Sequence, residues 1–229
     1  MMANHQFGSV LAFVAMTGDL FPSVNLLPHD GEAVNHGVVF DGPEAERIHE
    51  RLLAGIPWRH DVIRMFGKVI TTARKVAWMG DEGLDYTYSG KTKKPLPWYE
   101  LVLELKGTVE EKTGERFNSC LLNLYHSGDE GMSWHQDNES SIVEDSMIAC
   151  LSFGAARRFH FKHRETRERI TTVLEAGSLL TMSGPIQHFW QHALPKTKKV
   201  KEARVSLTFR QMKSGQKREM TEDLGDCPN

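Results

Sequence analysis

The chain has 229 residues, of which 40% are hydrophobic and 25% are charged, a composition that excludes wholesale disorder. Its three cysteines form no closely spaced pair, which excludes a disulfide framework and a cysteine-rich zinc site. The formal net charge is only −2, but residues 64–218 hold 25 bases against 18 acids. This positive middle segment is compatible with a polyanion such as nucleic acid, although a solvated basic face gives the same pattern.

The first 40 residues carry no recognisable targeting signal. The apolar stretch from Ser9 to Met16 is far shorter than the ~20 residues that span a bilayer. No Lys or Arg precedes Arg47, so the positive segment that begins a secretory signal is missing. We therefore expect an N-terminal extension over residues 1–40 that packs on the domain, no membrane association, and a cytoplasmic location, or a nuclear one in a eukaryote.

Two helices are predicted in the N-terminal half. Apolar side chains recur at helical spacing over Glu44–Leu53, and a second helix is predicted over Pro97–Thr113. Between them, Val62–Arg74 is rich in β-branched and aromatic residues but contains a glycine, which is typical of a hairpin or an exposed loop between two strands. Several glycines and prolines in residues 80–99 predict a structured loop.

From residue 118 onward, short runs with strand composition alternate with turn-forming or charged clusters. Strands of this length at regular spacing are typical of an antiparallel sandwich or jelly roll. We therefore predict an α+β chain that is mainly β, with its helices in the N-terminal half. The predicted strands are Cys120–Tyr125, Met147–Phe153, Arg158–Lys162, Ile170–Leu174, Ser178–Met182, Phe189–Ala193 and Arg204–Arg210.

The first candidates for chemistry are His135 and Asp137. Because they are two residues apart, an extended segment would direct an imidazole and a carboxylate to the same side. One further histidine would complete a 2-His-1-carboxylate triad, which suits non-haem Fe(II) and leaves positions open for other ligands. His188 and His192 compete for this place, and strand periodicity does not separate them because residues four apart share a face.

Polar and apolar residues alternate along the segment Arg204–Arg210. The alternation places both arginines, together with Ser206 and Thr208, on one face of a strand. Two arginines and two hydroxyls inside an apolar barrel are costly unless an anion binds there. The pattern therefore predicts a site for a dicarboxylate, with a cationic or donor-rich group for each end.

Taken in chain order, the His-x-Asp pair, the later histidine and the Arg-x-Ser-x-Thr-x-Arg segment resemble the AlkB family of Fe(II)/2-oxoglutarate-dependent dioxygenases, over residues 62 to 212. The family usually has Asn where this chain has Ser206, but both arginines are in place. The resemblance implies Fe(II) as cofactor and 2-oxoglutarate as cosubstrate. The implied iron ligands are His135, Asp137 and His192, and the implied 2-oxoglutarate contacts are Asn123, Tyr125, Arg204, Ser206, Thr208 and Arg210.

The resemblance also implies an architecture, namely a double-stranded β-helix (jelly roll) with N-terminal helices and a nucleotide-recognition lid. The catalytic domain would cover residues 41–212, with the lid at about 62–99 and a C-terminal tail over residues 213–229. We expect a monomer that acts on nucleic acid.

The lid and the basic middle segment supply the contacts to nucleic acid that the resemblance implies. Aromatic lid residues would lie over an extruded base, and an acid would favour a cationic lesion over a neutral base. An apolar residue at a turn would fill the gap in the duplex, and basic residues would contact phosphates. The implied base contacts are Tyr86, Tyr88, Asn138 and Glu139. The implied DNA contacts are Phe66, Gly67, Lys68, Arg157, Arg158 and Lys162, and we add Arg74, Lys75, Arg164, Arg167 and Arg169 as phosphate contacts.

The function that the resemblance implies is oxidative dealkylation of N-methylated bases in DNA, such as 1-methyladenine and 3-methylcytosine, with release of formaldehyde, succinate and CO₂. Two alternatives are a dioxygenase of the same fold that acts on RNA, a protein side chain or a small molecule, and a catalytically silent nucleic-acid-binding module.

Overall fold

The structure, a computed structural model, describes residues 24–65, 68–84, 86–88 and 91–213. Within these ranges the helices are α1 (Gly42–Gly55), α2 (Glu100–Thr113) and the one-turn α3 (Ile186–Phe189). The first strands in chain order are β1 (Glu32–Val38), β2 (Arg59–Met65), β3 (Lys68–Gly80), β4 (Tyr86–Tyr88), β5 (Lys91–Lys93), β6 (Ser119–Tyr125) and β7 (Met132–His135). The later strands are β8 (Ile148–Gly154), β9 (Arg157–His163), β10 (Arg169–Leu174), β11 (Ser178–Ser183), β12 (Trp190–Leu194) and β13 (Arg204–Arg210).

Two antiparallel sheets form the body of the fold. The larger one has the order β1-β11-β8-β13-β6-β3-β2 and the smaller one the order β10-β9-β12-β7, while β4 and β5 form a separate hairpin. Except for the pairs β2–β3 and β9–β10, neighbouring strands in these two sheets are not consecutive in sequence, as in a jelly roll. The prediction of an α+β chain that is mainly β, with antiparallel sheets of the jelly-roll type, is therefore confirmed.

Two hydrophobic clusters lie on opposite faces of the larger sheet. One cluster packs α1 and α2 against the sheet and includes Leu52, Leu101 and Phe209, and the other fills the space between the two sheets and includes Phe161 and Trp190. The second cluster surrounds the candidate site. The helices pack on the opposite face of the larger sheet and stabilise it there. Within the described ranges, no helix is both long and apolar enough to cross a membrane.

Both predicted helices are present, with local reasons for their ends. The Asp41 side chain caps α1 by accepting a hydrogen bond from the Glu44 amide at 2.9 Å. The second helix begins at Glu100 rather than Pro97 and ends at Thr113; Gly114 caps it with a φ of 73°, a conformation that glycine adopts without strain.

The N-terminal boundary of the domain differs from the prediction. Residues 32–38 form β1, an edge strand that pairs with β11 of the larger sheet, so they are not an extension packed on the domain. The segment was missed because its strand burial is confined to Ala33 and Val34, whereas Asn35, His36 and Gly37 break the apolar pattern.

Candidate metal centre and cosubstrate pocket

Three of the predicted ligands converge between the sheets. His135 ends β7 and lies directly opposite His192 of β12, so the strand pairing brings the two imidazoles together at a centroid distance of 4.2 Å. Asp137 follows two residues later, and one ligand atom from each of the three residues lies within 4.8 Å of the others. Two imidazoles and one carboxylate on one side of a cavity fit the facial donor set of non-haem Fe(II).

The competing histidine lies elsewhere. His188 belongs to α3, and its Nε2 lies 3.2 Å from a carboxylate oxygen of Asp145. A one-turn helix separates it from the β12 face that carries His192, so the periodicity argument that left both candidates open does not apply to this segment. The structure brings together His192, and not His188, with the other two ligands.

Neighbouring groups hold the triad in place. The side-chain carbonyl of Gln187 accepts a hydrogen bond from the Asp137 amide at 2.8 Å, and Arg210 Nη2 lies 2.7 Å from Asp137 Oδ2. His135 Nδ1 lies 2.8 Å from the Ser133 carbonyl oxygen. Because a carbonyl only accepts, the proton is on Nδ1, and the lone pair of Nε2 is left for a metal.

The electrostatic environment of Asp137 and His192 favours the protonation states that bind a metal. Burial would raise the pKa of Asp137, but the positive charge of Arg210 and the neighbouring histidines lower it to about 2. Burial is the largest cause that lowers the pKa of His192, to about 3, and the electrostatic interaction with the His135 side chain acts in the same direction. At neutral pH the pair is therefore a carboxylate and an uncharged imidazole, which are the protonation states that bind a metal.

The predicted cosubstrate residues line one cavity next to the triad. Because β13 alternates, Val205, Leu207 and Phe209 face the helices, and the polar residues face the space between the sheets. All six predicted contacts line the cavity together with the triad: Asn123, Tyr125, Arg204, Ser206, Thr208 and Arg210.

An anion fits this cavity because several of its buried polar atoms have no partner. Arg204 is 3% exposed and donates to Ser152 Oγ at 2.9 Å, yet its Nε makes no hydrogen bond. No acidic side chain of the described residues pairs with Arg204. The carbonyl oxygen of the Asn123 side chain is also buried without a partner. A buried guanidinium without a counter-charge is costly, and a carboxylate ligand would remove that cost.

The predicted base contacts are only partly described. Asn138 and Glu139 follow Asp137 and are exposed. Glu139 also lines a neighbouring cavity of about 260 Å³ with Trp78 and Arg210. Tyr86 and Tyr88 lie in β4 and Lys68 begins β3, and only their backbones are described. Phe66 and Gly67 lie outside the described residues.

Two of the predicted phosphate contacts are wrong, because their side chains are used inside the protein. Arg157 is 2% exposed, and its guanidinium donates to the carbonyl oxygens of Ser127, Glu130 and Pro195. Arg74 is 9% exposed and lies 2.6 Å from Asp61. The sequence places them in a basic segment, but it does not show that each has acceptors nearby.

Two further predicted phosphate contacts, Arg158 and Lys162, keep accessible side chains. Arg158 is exposed, and Lys162 is half-buried on the same outward side of β9. The sequence analysis also missed Gln187, which contacts the backbone of an iron-ligand candidate across 50 residues of chain. Only a structure reveals a contact of that sequence separation, since nothing in the local pattern marks it.

Comparison with known proteins assigns the chain to a family whose cofactor and cosubstrate fit this site. Residues 34–210 match the model of a family described as the 2OG-Fe(II) oxygenase superfamily. This chain belongs to that superfamily. It is 36% identical to the DNA oxidative demethylase ALKBH2 of Mus musculus over 208 residues, which are 86% of this chain and 87% of the relative. The human ALKBH2 is 36% identical over 202 residues, 83% of this chain and 77% of the relative.

A second group of AlkB homologues matches at similar identity over a shorter part of the chain. The alpha-ketoglutarate-dependent dioxygenase alkB homolog 3 of Bos taurus is 38% identical over 180 residues, which are 74% of this chain and 62% of the relative. The predicted AlkB-family membership is therefore confirmed, and the chain is an Fe(II)/2-oxoglutarate-dependent dioxygenase. The superfamily implies Fe(II) and 2-oxoglutarate, and the His-Asp-His cluster is present for the metal.

Proposed function

We propose that this dioxygenase removes methyl groups from N-methylated bases in DNA, such as 1-methyladenine and 3-methylcytosine, by direct reversal. It consumes O₂ and 2-oxoglutarate and releases formaldehyde, succinate and CO₂. The names of the ALKBH2 relatives, which are DNA oxidative demethylases, support DNA as the substrate class. The enzyme is expected to act as a monomer, because the triad and both arginines come from one chain. Its expected location is the compartment that holds the DNA, which is the cytoplasm, or the nucleus in a eukaryote.

One observation carries the chemical part of the proposal. The three candidate metal ligands and the uncompensated buried cation of Arg204 line the same cavity. A metal site alone would fit many proteins, and a buried arginine alone would fit any anion. Together they fit a metal that works with a carboxylate cosubstrate.

His135, Asp137 and His192 would hold Fe(II). Bound iron supplies the coupling of oxidative decarboxylation of 2-oxoglutarate by O₂ to hydroxylation of the methyl group, which then leaves the base as formaldehyde. The protein residues bind and orient the reactants. Arg204 and Asn123, which line the cavity, would bind the cosubstrate, while Arg210 holds the carboxylate of Asp137.

We assign selection of the lesion to residues that line the cavity next to the triad. Glu139 faces the cavity that adjoins Arg210, and a carboxylate there would bind a methylated, cationic base better than a neutral one. Tyr86, Tyr88 and Asn138 complete the proposed base contacts. Extrusion of a base costs a few kcal/mol and costs least for a lesion that cannot pair.

Formaldehyde release is the direct test. The purified protein, loaded with Fe(II) and 2-oxoglutarate, is given oligodeoxynucleotides that carry 1-methyladenine or 3-methylcytosine, the same sequences as RNA, and methylated peptides. Formaldehyde and the unmodified base should appear with DNA and should disappear when 2-oxoglutarate is omitted. Turnover with RNA or peptide but not with DNA would contradict the substrate assignment. Nucleic-acid binding without formaldehyde would indicate a silent binding module.

A further inference from the structure

The smaller sheet has a second face, directed away from the cavity, on which Trp134 contacts basic side chains. Lys162 Nζ lies 4.4 Å from the centroid of the Trp134 ring, and Arg169 Cζ lies 6.0 Å from it. The His160 ring stands edge-on to the indole at 6.4 Å. The four residues come from β7, β9 and β10, so a sheet positions the cluster rather than a loop. We call these four residues the Trp134 face.

Strand alternation explains why the cluster faces outward. On β9, Phe159 and Phe161 are buried between the sheets, while His160 and Lys162 alternate with them toward solvent. Lys162 pairs with Arg169 across the β9–β10 ladder, and directly paired residues share a face. The register therefore fixes the cations around the indole.

The face carries positive charge that the protein does not neutralise. Within the described ranges, Arg158, Lys162 and Arg169 form no ion pair with an acidic side chain. Partial burial, followed by the charges of Arg158 and Arg169, lowers the pKa of His160. The charge continues into a groove whose basic lining residues include Arg158, His160, Lys196 and Lys199. Cations on one face without acids are complementary to a polyanion.

We propose that the Trp134 face binds the nucleic-acid strand that flanks the lesion, with one base stacked on Trp134 and its phosphates beside Lys162 and Arg169. This inference rests on the proposed function. Aromatic side chains set among cations are the usual means by which proteins bind single-stranded nucleic acid. Trp134 directly precedes the metal ligand His135 in β7, so the Trp134 face and the triad lie on opposite sides of the same strand, one residue apart.

The present contact of the lysine with the ring is compatible with an incoming base. Lys162 is held over the indole without an acid, and its flexible stem lets the ammonium move to a phosphate while the base takes its place on the ring. Both interactions with the indole are attractive, so the exchange leaves the ring covered and gains a charge pair.

Binding of a fluorescently labelled, unmodified single-stranded oligodeoxynucleotide tests the proposal. Trp134→Leu should weaken binding about tenfold, and Trp134→Phe should recover most of the loss, because a phenyl ring still stacks. Trp58→Leu is the matched control, since Trp58 is also half-buried but packs beside α1. Metal affinity and 2-oxoglutarate affinity of Trp134→Leu should stay at the wild-type values, which excludes damage to the neighbouring triad.

The salt dependence separates stacking from charge. Lys162→Gln should reduce the slope of log binding constant against log salt by about one, whereas Trp134→Leu should weaken binding at every salt concentration without changing the slope. Unchanged affinity in Trp134→Leu, or an equal loss in Trp58→Leu, would overturn the inference. If wild-type protein still demethylates DNA in that case, the proposed function stands without it. If wild-type protein demethylates none of the methylated oligonucleotides, the proposed function itself is wrong.

Discussion

Arg210 and Asp137 form a buried ion pair, with 2.7 Å between Nη2 and Oδ2. The arginine predicted to bind the cosubstrate therefore also holds a candidate iron ligand. The two arginines of β13 differ in this respect, because Arg204 contacts Ser152 and no acid among the described residues. Equivalent positions in a sequence motif thus have different partners in the fold.

The first prediction follows from that difference. Arg210→Met should weaken metal binding about 10- to 100-fold, because groups that orient a metal ligand typically contribute that much to affinity. Calorimetric titration of the metal-free protein with Mn(II) or Co(II), without 2-oxoglutarate, measures the effect.

Arg204→Met is the matched control for this prediction. It should leave metal affinity unchanged and raise the half-saturating concentration of 2-oxoglutarate by roughly ten- to hundredfold, the equivalent of about 1.5–3 kcal/mol for a lost hydrogen bond to a charged group. Equal metal affinities in the two variants would show that the ion pair does not position Asp137.

The second prediction concerns the choice between the two histidines. His192→Ala should abolish metal binding and turnover, as should His135→Ala, whereas His188→Ala should keep both, because its side chain faces Asp145. Metal content after dialysis and formaldehyde release are the measurements. Retained iron in His192→Ala, with loss in His188→Ala, would reverse the assignment.

The sequence predicted the layout of the site better than its surroundings. The alternation of Arg204–Arg210 and the His135–Asp137 spacing are local patterns, so strand periodicity alone placed these side chains on a common face. Arg157 shows the limit, because its burial depends on carbonyl oxygens from residues 127, 130 and 195, which only the folded chain brings together. The edge strand β1 was missed for a similar reason, since its pairing with β11 is its main strand signal.

The third prediction separates two adjacent arginines. Arg157→Ala should lower the free energy of unfolding by about 3 kcal/mol, because it leaves buried carbonyl oxygens without donors, and should leave the salt dependence of DNA binding unchanged. Arg158→Ala should leave the free energy of unfolding nearly unchanged and reduce the salt dependence of DNA binding, because its side chain is exposed. Denaturant unfolding and oligonucleotide titration at several salt concentrations are compared. A smaller salt slope in Arg157→Ala would restore it as a phosphate contact.

The fourth prediction concerns Phe66, the apolar residue predicted to fill the gap that an extruded base leaves in the duplex. Phe66→Ala should lower repair of methylated duplex DNA much more than repair of the single strand, because only the duplex has a gap for an apolar side chain to fill. Initial rates on the two substrates, together with the melting temperature, are measured. An equal loss on both, with a large fall in melting temperature, would identify a core residue instead.

The last prediction is the acid sensitivity of the metal-free protein. The folded pKa of His192 is lowered to about 3, whereas its ordinary value is 6.5. Between these values the unfolded chain binds a proton at this residue and the native chain does not, so stability falls as the pH falls. The slope from one such group is about 1.4 kcal/mol per pH unit, beginning near the ordinary histidine value.

Unfolding free energies of metal-free wild type and His192→Asn, measured in denaturant across this range, should therefore diverge. The wild type should lose stability more steeply below the ordinary histidine pKa, while His192→Asn lacks this contribution. His188→Asn, an exposed substitution, should follow the wild type. Asp137, whose pKa is lowered to about 2, adds a second loss at still lower pH, because protonation of the unfolded carboxylate precedes that of the native one. Parallel curves for wild type and His192→Asn would mean that the native imidazole is protonated in this range, and that His192 is not held in its metal-binding form by burial.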